Sequence, residues 1–223
     1  MTIALDRAAL VAIDLQNEYR AEATYPVEGF AQVLERNAAL MREARARAIP
    51  VWHVQAATQD AETDAYPLLH GTVDASLRSG VAGSALAEIC AEVAPEPGDV
   101  VFRKIWPSAF RGSDFDRRLR AAGIDTLLVT GVWTDSCVQG TVFDAVYAGF
   151  HVWLVKDACG SGTQAMHRTA VLGMANRLYG GGVTASDRLL AAMRGEAARH
   201  WRCTRPVEFL YRTDTVDALY ESL

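Results

Sequence analysis

No stretch of these 223 residues is apolar for long enough to cross a bilayer. The opening residues, MTIALDRAAL, carry an Asp early and lack the apolar core and cleavage site of a secretory leader. A cytoplasmic location is the resulting expectation. There is no Lys/Arg stripe, and the net charge is −5, which argues against a nucleic-acid partner. Cysteine is scarce and scattered: Cys90, Cys137, Cys159 and Cys203 form no CxxC pair and no metal-ligand spacing. In a reducing compartment they are free thiols. Long repeats, low-complexity tracts and Gly/Ser linkers are missing. So is a G-x-S-x-G elbow, which argues against a serine hydrolase. The YGGG run at 179–182 lacks the Lys and preceding strand of a phosphate-binding loop and reads as a turn.

What the chain does have is apolar content, at half of its residues, enough for a core without disulfide or metal staples. Short apolar runs alternate with amphipathic ones. AALVAIDLQ, PVWHVQ, DVVFRK, TLLVTGV, HVWLVKDA and GGVTAS read as six strands. Residues 28–48 read as a helix with Phe30, Val33, Leu34 and Met41 on one stripe, which Asn37 interrupts. GSDFDRRLRAAG is a short helix ended by Gly123, a further helix follows Cys137, residues 163–179 form another, and DRLLAAM begins the last. Strand–helix alternation of this kind gives a parallel sheet with helices on both faces.

In such sheets, function gathers at the carboxyl ends of the strands. Three reactive side chains fall there: Asp14 after LVAI, Lys104 after VVFR and Cys137 after LLVTGVWTDS. Cys137 lies between a strand and the first turn of a helix, where unpaired N–H groups and the helix dipole favour a thiolate. A neighbouring Lys ammonium would add to this. A carboxylate can take the thiol proton and later pass it to a leaving group. The backbone N–H of Cys137 and a neighbouring one could hold an oxyanion. Tyr19, Trp106, Phe110 and Trp133 follow the three reactive residues closely and are candidates to touch substrate.

The stretches AIDLQNEY, FRKIWPSAF, VTGVWTDSCVQGTVFDA and VWLVKDACGS, taken in this order, resemble the isochorismatase-like cysteine hydrolases. That family includes nicotinamidases, N-carbamoylsarcosine amidohydrolase, ureidoacrylate hydrolase and biuret hydrolase. The resemblance covers about residues 8–190. It implies a three-layer α/β/α fold with a six-stranded parallel sheet in the order 3-2-1-4-5-6. It implies Asp14 as general base, Lys104 as its electrostatic partner and Cys137 as nucleophile. It also implies a cis peptide between Val132 and Trp133, with the N–H groups of Trp133 and Cys137 forming the oxyanion hole. Nicotinamidases of this family hold a metal through an Asp-x-His motif after the second strand. Here that stretch is TQDAETDAY, with Asp60 present but Glu62 where the His should be. His53 and His70 do not restore the spacing, and both read as structural or surface residues. No metal and no cofactor are expected.

The expected activity is cleavage of a C–N bond in a small amide, ureido or carbamoyl compound through a Cys137 thioester. Two alternatives stand beside it: a vinyl-ether hydrolase of the isochorismatase type, for which a cysteine is dispensable, and a non-catalytic, redox-responsive thiol protein. His167 reads as a capping or packing residue, Cys159 as a packing thiol, and Cys90 and Cys203 carry no signal. Residues 1–195 form the expected hydrolase domain. Residues 196–223 are an extension that packs on the domain or on another subunit. Its apolar residues Val207, Phe209, Leu210, Val216, Leu219 and Tyr220 need burial somewhere, and a homo-oligomer, dimer or tetramer, is expected.

Overall fold

Six consecutive apolar residues, Ala8–Ile13, form β1, and every one of them is buried. A strand with no polar face must be covered on both sides, which places it at the centre of a parallel sheet. The computed structural model describes residues 3–59 and 78–223. Around β1 lie β2 (Val51–Ala56), β3 (Val100–Lys104), β4 (Thr126–Val132), β5 (His151–Gly160), β6 (Gly182–Thr184) and β7 (Trp201–Arg202). Their order across the sheet is β3-β2-β1-β4-β5-β6-β7. The first six strands are parallel, in the expected order.

The seventh strand corrects the expectation of six. β7 pairs antiparallel with β6 through Gly182↔Arg202 and Val183↔Trp201. Two residues are too few to show a period of alternation, so nothing in its sequence marks it. Gly182 makes the approach possible, because a Cβ there would stand 2.0 Å from the Trp201 carbonyl oxygen.

Side chains of β1 alternate between two cores. Ala9, Val11 and Ile13 face one that contains residues of α2 (Phe115–Ala121), α3 (Gln139–Tyr147), α4 (Gln164–Ala175) and α6 (Val216–Glu221). Ala8, Leu10 and Ala12 face the other, against α1 (Phe30–Ala46) and α5 (Ser186–Met193). Asn37, the polar break in the apolar stripe of α1, donates from Nδ2 to the carbonyls of Val33 at 2.8 Å and Ala158 at 2.9 Å. It fastens α1 to the end of β5. The helix expected over 163–179 stops at Ala175, and Asn176 instead exchanges two hydrogen bonds with the backbone of Phe209.

Phe209, Val216, Tyr220 and Leu223 lie in the first core. Much of the apolar content of residues 196–223 is thus buried within the chain itself, while Leu210 is 78% exposed. Among the described residues no helix is long and apolar enough to cross a membrane.

Candidate active site

β1, β3 and β4 end along one edge of the sheet and bring Asp14, Lys104 and Cys137 together. Lys104 Nζ lies 2.8 Å from Asp14 Oδ2 and 3.3 Å from Cys137 Sγ. Asp14 is fully buried and Lys104 nearly so, whereas Cys137 is half-buried. The three residues singled out in the sequence form one cluster, with the lysine as the bridge.

Each position has a local cause. Asp14 follows β1 with φ of 50°, in the left-handed region that Asp and Asn tolerate better than most residues. This bend turns its carboxylate toward β2 and β3. Asp14 Oδ1 accepts the Ala56 N–H at 2.9 Å. Lys104 is the last residue of β3 and shares the inward face with Phe102. Cys137 lies in a wide turn, Thr134–Val138, that joins β4 to α3. Here the N–H groups of Ser136 and Val138 both donate to the Trp133 carbonyl, at 3.0 and 3.1 Å. Before it, Gly131 has φ of 111°, and a Cβ would lie 2.0 Å from the Ile13 carbonyl oxygen. Only glycine lets β4 pass this close to β1. The Val132–Trp133 peptide bond is cis.

The electrostatics differ from the expectation of a ready-made thiolate. Burial pushes the Cys137 thiol up to about 12, the Asp14 charge adds to this, and the Lys104 ammonium only partly offsets them. Dehydration outweighs the turn and the lysine. For Lys104 burial acts downward, but Asp14 and Cys137 together outweigh it and hold the ammonium above its usual range. In this cluster burial disfavours the thiolate of Cys137, while its neighbours favour the ammonium of Lys104.

Burial, together with the Asp14 and Glu18 charges, keeps Tyr19 a neutral phenol. Its ring meets Trp133 edge to face at 6.5 Å and Phe30 at 6.3 Å. The Trp133 ring runs against Gly162. Trp106 carries the Arg111 guanidinium 4.5 Å above its ring centre, beside an open groove of about 430 Å³ lined by Lys104, Ile105 and Arg111. Phe110 contacts the core rings of Phe115 at 5.2 Å and Phe150 at 5.7 Å. Of the four aromatics, Tyr19 and Trp133 form a pair, Trp106 lies under Arg111, which lines the groove, and Phe110 packs inward.

The remaining thiols are buried: burial pushes Cys90 up to about 11, and Cys159 and Cys203 upward as well. His53 is buried against Asp99, 3.1 Å from its carboxylate, which Arg45 also contacts. Asp60, Glu62 and His70 lie outside the described residues.

Three supporting residues carried no assigned role in the sequence. Gln16 is fully buried. Its Nε2 donates to the carbonyls of Ala56 and Ala87 at 2.9 and 2.7 Å, and its Oε1 accepts the Ala56 N–H at 2.9 Å. Glu18 accepts from Ser79 Oγ and the Gly80 N–H at 3.0 and 2.9 Å, and burial holds its carboxyl above the usual range. Thr134 donates to the Gly160 carbonyl at 2.9 Å. The available signal for Gln16 and Glu18 was position, since polar residues directly after a wholly apolar strand fall at the sheet's carboxyl edge.

The isochorismatase domain profile matches residues 8–188. A ureidoacrylate amidohydrolase from Methylobacterium radiotolerans is 30% identical over 191 residues, covering 76% of this chain and 74% of its own. An N-carbamoylsarcosine amidase from an Arthrobacter species is 29% identical over 163 residues, covering 70% and 60%. The crystal structure of an isochorismatase family protein from Desulfovibrio vulgaris superposes with a TM-score of 0.75 at 33% identity, over 82% of this chain and 96% of that one. With a profile match over most of its length, this chain belongs to the isochorismatase family.

Proposed function

We propose that the protein is a cysteine-dependent amidohydrolase that cleaves a C–N bond of a small amide, ureido or carbamoyl compound and releases ammonia or an amine. The observation that carries this reading is the single lysine nitrogen within 2.8 Å of Asp14 and 3.3 Å of Cys137. The amidohydrolases among its relatives support the class of bond.

The roles follow from the charges. Asp14 takes the proton of Cys137 as Sγ attacks the carbonyl carbon, and the Lys104 ammonium stabilises the thiolate as it forms. A thiol that resists ionisation at rest is a stronger nucleophile once its proton has gone. The N–H groups of Trp133 and Cys137 receive the oxyanion. When the tetrahedral intermediate collapses, the C–N bond breaks and protonated Asp14 gives its proton to the departing nitrogen. Water then attacks the thioester, Asp14 takes a proton from it, the C–S bond breaks and the thiol is restored. Tyr19, Trp106 and Trp133 border the substrate, and Phe110 supports them from the core. No metal or cofactor enters this scheme. Residues 1–195 serve as the hydrolase domain, residues 196–223 as an extension packed on it, and the working form is a homo-oligomer.

A panel of small amides, ureas and carbamoyl compounds assayed for ammonia or amine release tests the reading. Turnover with at least one, and a covalent mass adduct on Cys137 during it, are expected. Release that persists in Cys137→Ala would sink the mechanism.

A further inference from the structure

Behind the Cys137 turn runs a chain of buried polar groups that reaches the C-terminal segment. Thr134 Oγ1 lies 2.9 Å from the Gly160 carbonyl and 2.8 Å from His167 Nδ1, and His167 Nε2 lies 3.1 Å from the Tyr220 hydroxyl. Thr134 is fully buried and His167 is 3% exposed. With His167 neutral, as burial holds it down to about 4, counting protons fixes the direction of every bond. The Gly160 carbonyl only accepts, so the one hydroxyl proton of Thr134 goes there. His167 must then donate from Nδ1 to Thr134. A neutral imidazole with its proton on Nδ1 has a lone pair on Nε2, and Tyr220 donates to it. One arrangement satisfies all three contacts.

The far end is anchored too. Lys156 Nζ donates to the Tyr220 carbonyl at 2.7 Å, near the end of α6, and lies 4.4 Å from the ring centre. Arg168 pairs with Asp217 at 2.7 Å. The near end is the first residue of the turn that carries Cys137, next to Trp133. On the same turn, Asp135 accepts from Ser161 Oγ.

We propose that His167 and Tyr220 are positioning residues for Cys137: they hold Thr134, and through it the turn, at the distance that puts Sγ beside Lys104. A segment beyond the matched domain would then set the alignment of the nucleophile. The inference rests on Cys137 being the nucleophile, so its test includes a readout that needs no substrate.

Full-length Tyr220→Phe, His167→Leu and His167→Asn are compared with wild type. Tyr220→Phe removes one hydroxyl and keeps the ring. Asn places an N–H where His167 Nδ1 stood, so it keeps the donor to Thr134 while losing the link to Tyr220. The readouts are the rate of Cys137 alkylation by iodoacetamide, followed by peptide mass, and kcat and KM on the best amide of the panel. Tyr220→Phe should lower both the alkylation rate and kcat by about threefold and His167→Leu by about tenfold, with KM little changed, as expected when a reacting atom is displaced while the groups that bind substrate stay in place. His167→Asn, which loses the same link as Tyr220→Phe and keeps the donor to Thr134, should match Tyr220→Phe and lose less than His167→Leu. Alkylation and kcat at or above wild-type values in folded Tyr220→Phe would overturn the proposal, as would equal losses in His167→Asn and His167→Leu. If no amide is turned over, slowed alkylation in Tyr220→Phe still supports the positioning role, and only the hydrolase reading falls.

Discussion

Asp14 and Gln16 accept the same backbone proton, the N–H of Ala56, each at 2.9 Å. The shared amide fixes the Asp14 carboxylate relative to β2, and Gln16 holds the loop of residue 87 to the same spot. Gln16→Ala would take one donor from each of the carbonyls of Ala56 and Ala87, and Ala87 would keep the Gln55 Nε2 donor at 2.8 Å. A net hydrogen bond contributes about 0.5–1.5 kcal/mol, so the loss of these bonds should lower stability by about 1–3 kcal/mol in urea titration. Turnover should fall while Cys137 remains present and reduced.

Removing members of the cluster should affect stability and activity differently. Cys137→Ala should abolish turnover at little cost in folding, because a half-buried thiol is replaced by a smaller apolar group. Asp14→Asn keeps the shape, removes the base and should lower kcat by about 10²-fold or more. Lys104→Ala strands the buried Asp14 charge, and breaking a buried pair from one side costs about 3–5 kcal/mol. The ranking by thermal melt, with Lys104→Ala lowest and Cys137→Ala near wild type, checks this.

Stability should fall between pH 7 and pH 5. Burial, helped by the Arg168 and Lys156 cations and opposed by Asp135, holds His167 down to about 4 against an ordinary 6.5. Thr134 and Tyr220 complete its surroundings. A base depressed in the folded state takes up its proton more readily when unfolded. Its stabilising contribution is therefore complete above pH 6.5 and is lost as the pH falls toward 4. For His167 the loss from pH 7 to pH 5 is about 2 kcal/mol. His53, also depressed by burial, acts in the same direction. Urea midpoints across this range should slope less in His167→Asn than in wild type.

Activity should survive dialysis against a chelator, because Glu62 stands where the nicotinamidase pattern needs a histidine. Loss on chelation and recovery with Zn²⁺, Mn²⁺ or Fe²⁺ would overturn that expectation.

Light scattering should give the mass of a homo-oligomer. The exposed Leu210 and Tyr147, 78% and 75% accessible, are the apolar positions to alter. Leu210→Glu should shift the mass toward the monomer if this part of the surface is the contact. Deleting residues 205–223 would be a poor substitute, since it strips Phe209, Tyr220 and Leu223 from the core.

The six parallel strands and the meeting of Asp14, Lys104 and Cys137 were legible because apolar runs and the residues after them are local signals, whereas the order of the strands across the sheet came only from the resemblance to a known family. The state of the thiol was not legible. Sequence places Cys137 at a helix start, but the balance among dehydration, Asp14 and Lys104 depends on distances that only the folded chain sets. The partners of His167 were hidden for a similar reason: Tyr220 lies 53 residues away, and no periodicity links them. Gln16 was visible as a residue and silent as a role, because its three partners are backbone groups of Ala56 and Ala87.

The two margins of the sheet are unequal in what they offer another chain. On one side β7 supplies two residues, Trp201 and Arg202, too short a template for a foreign strand to extend. On the other, β3 is a five-residue outer strand whose Val101 is 48% exposed. Among the described residues, the short antiparallel strand therefore closes one margin of the sheet, and β3 is the longer outer strand at the other.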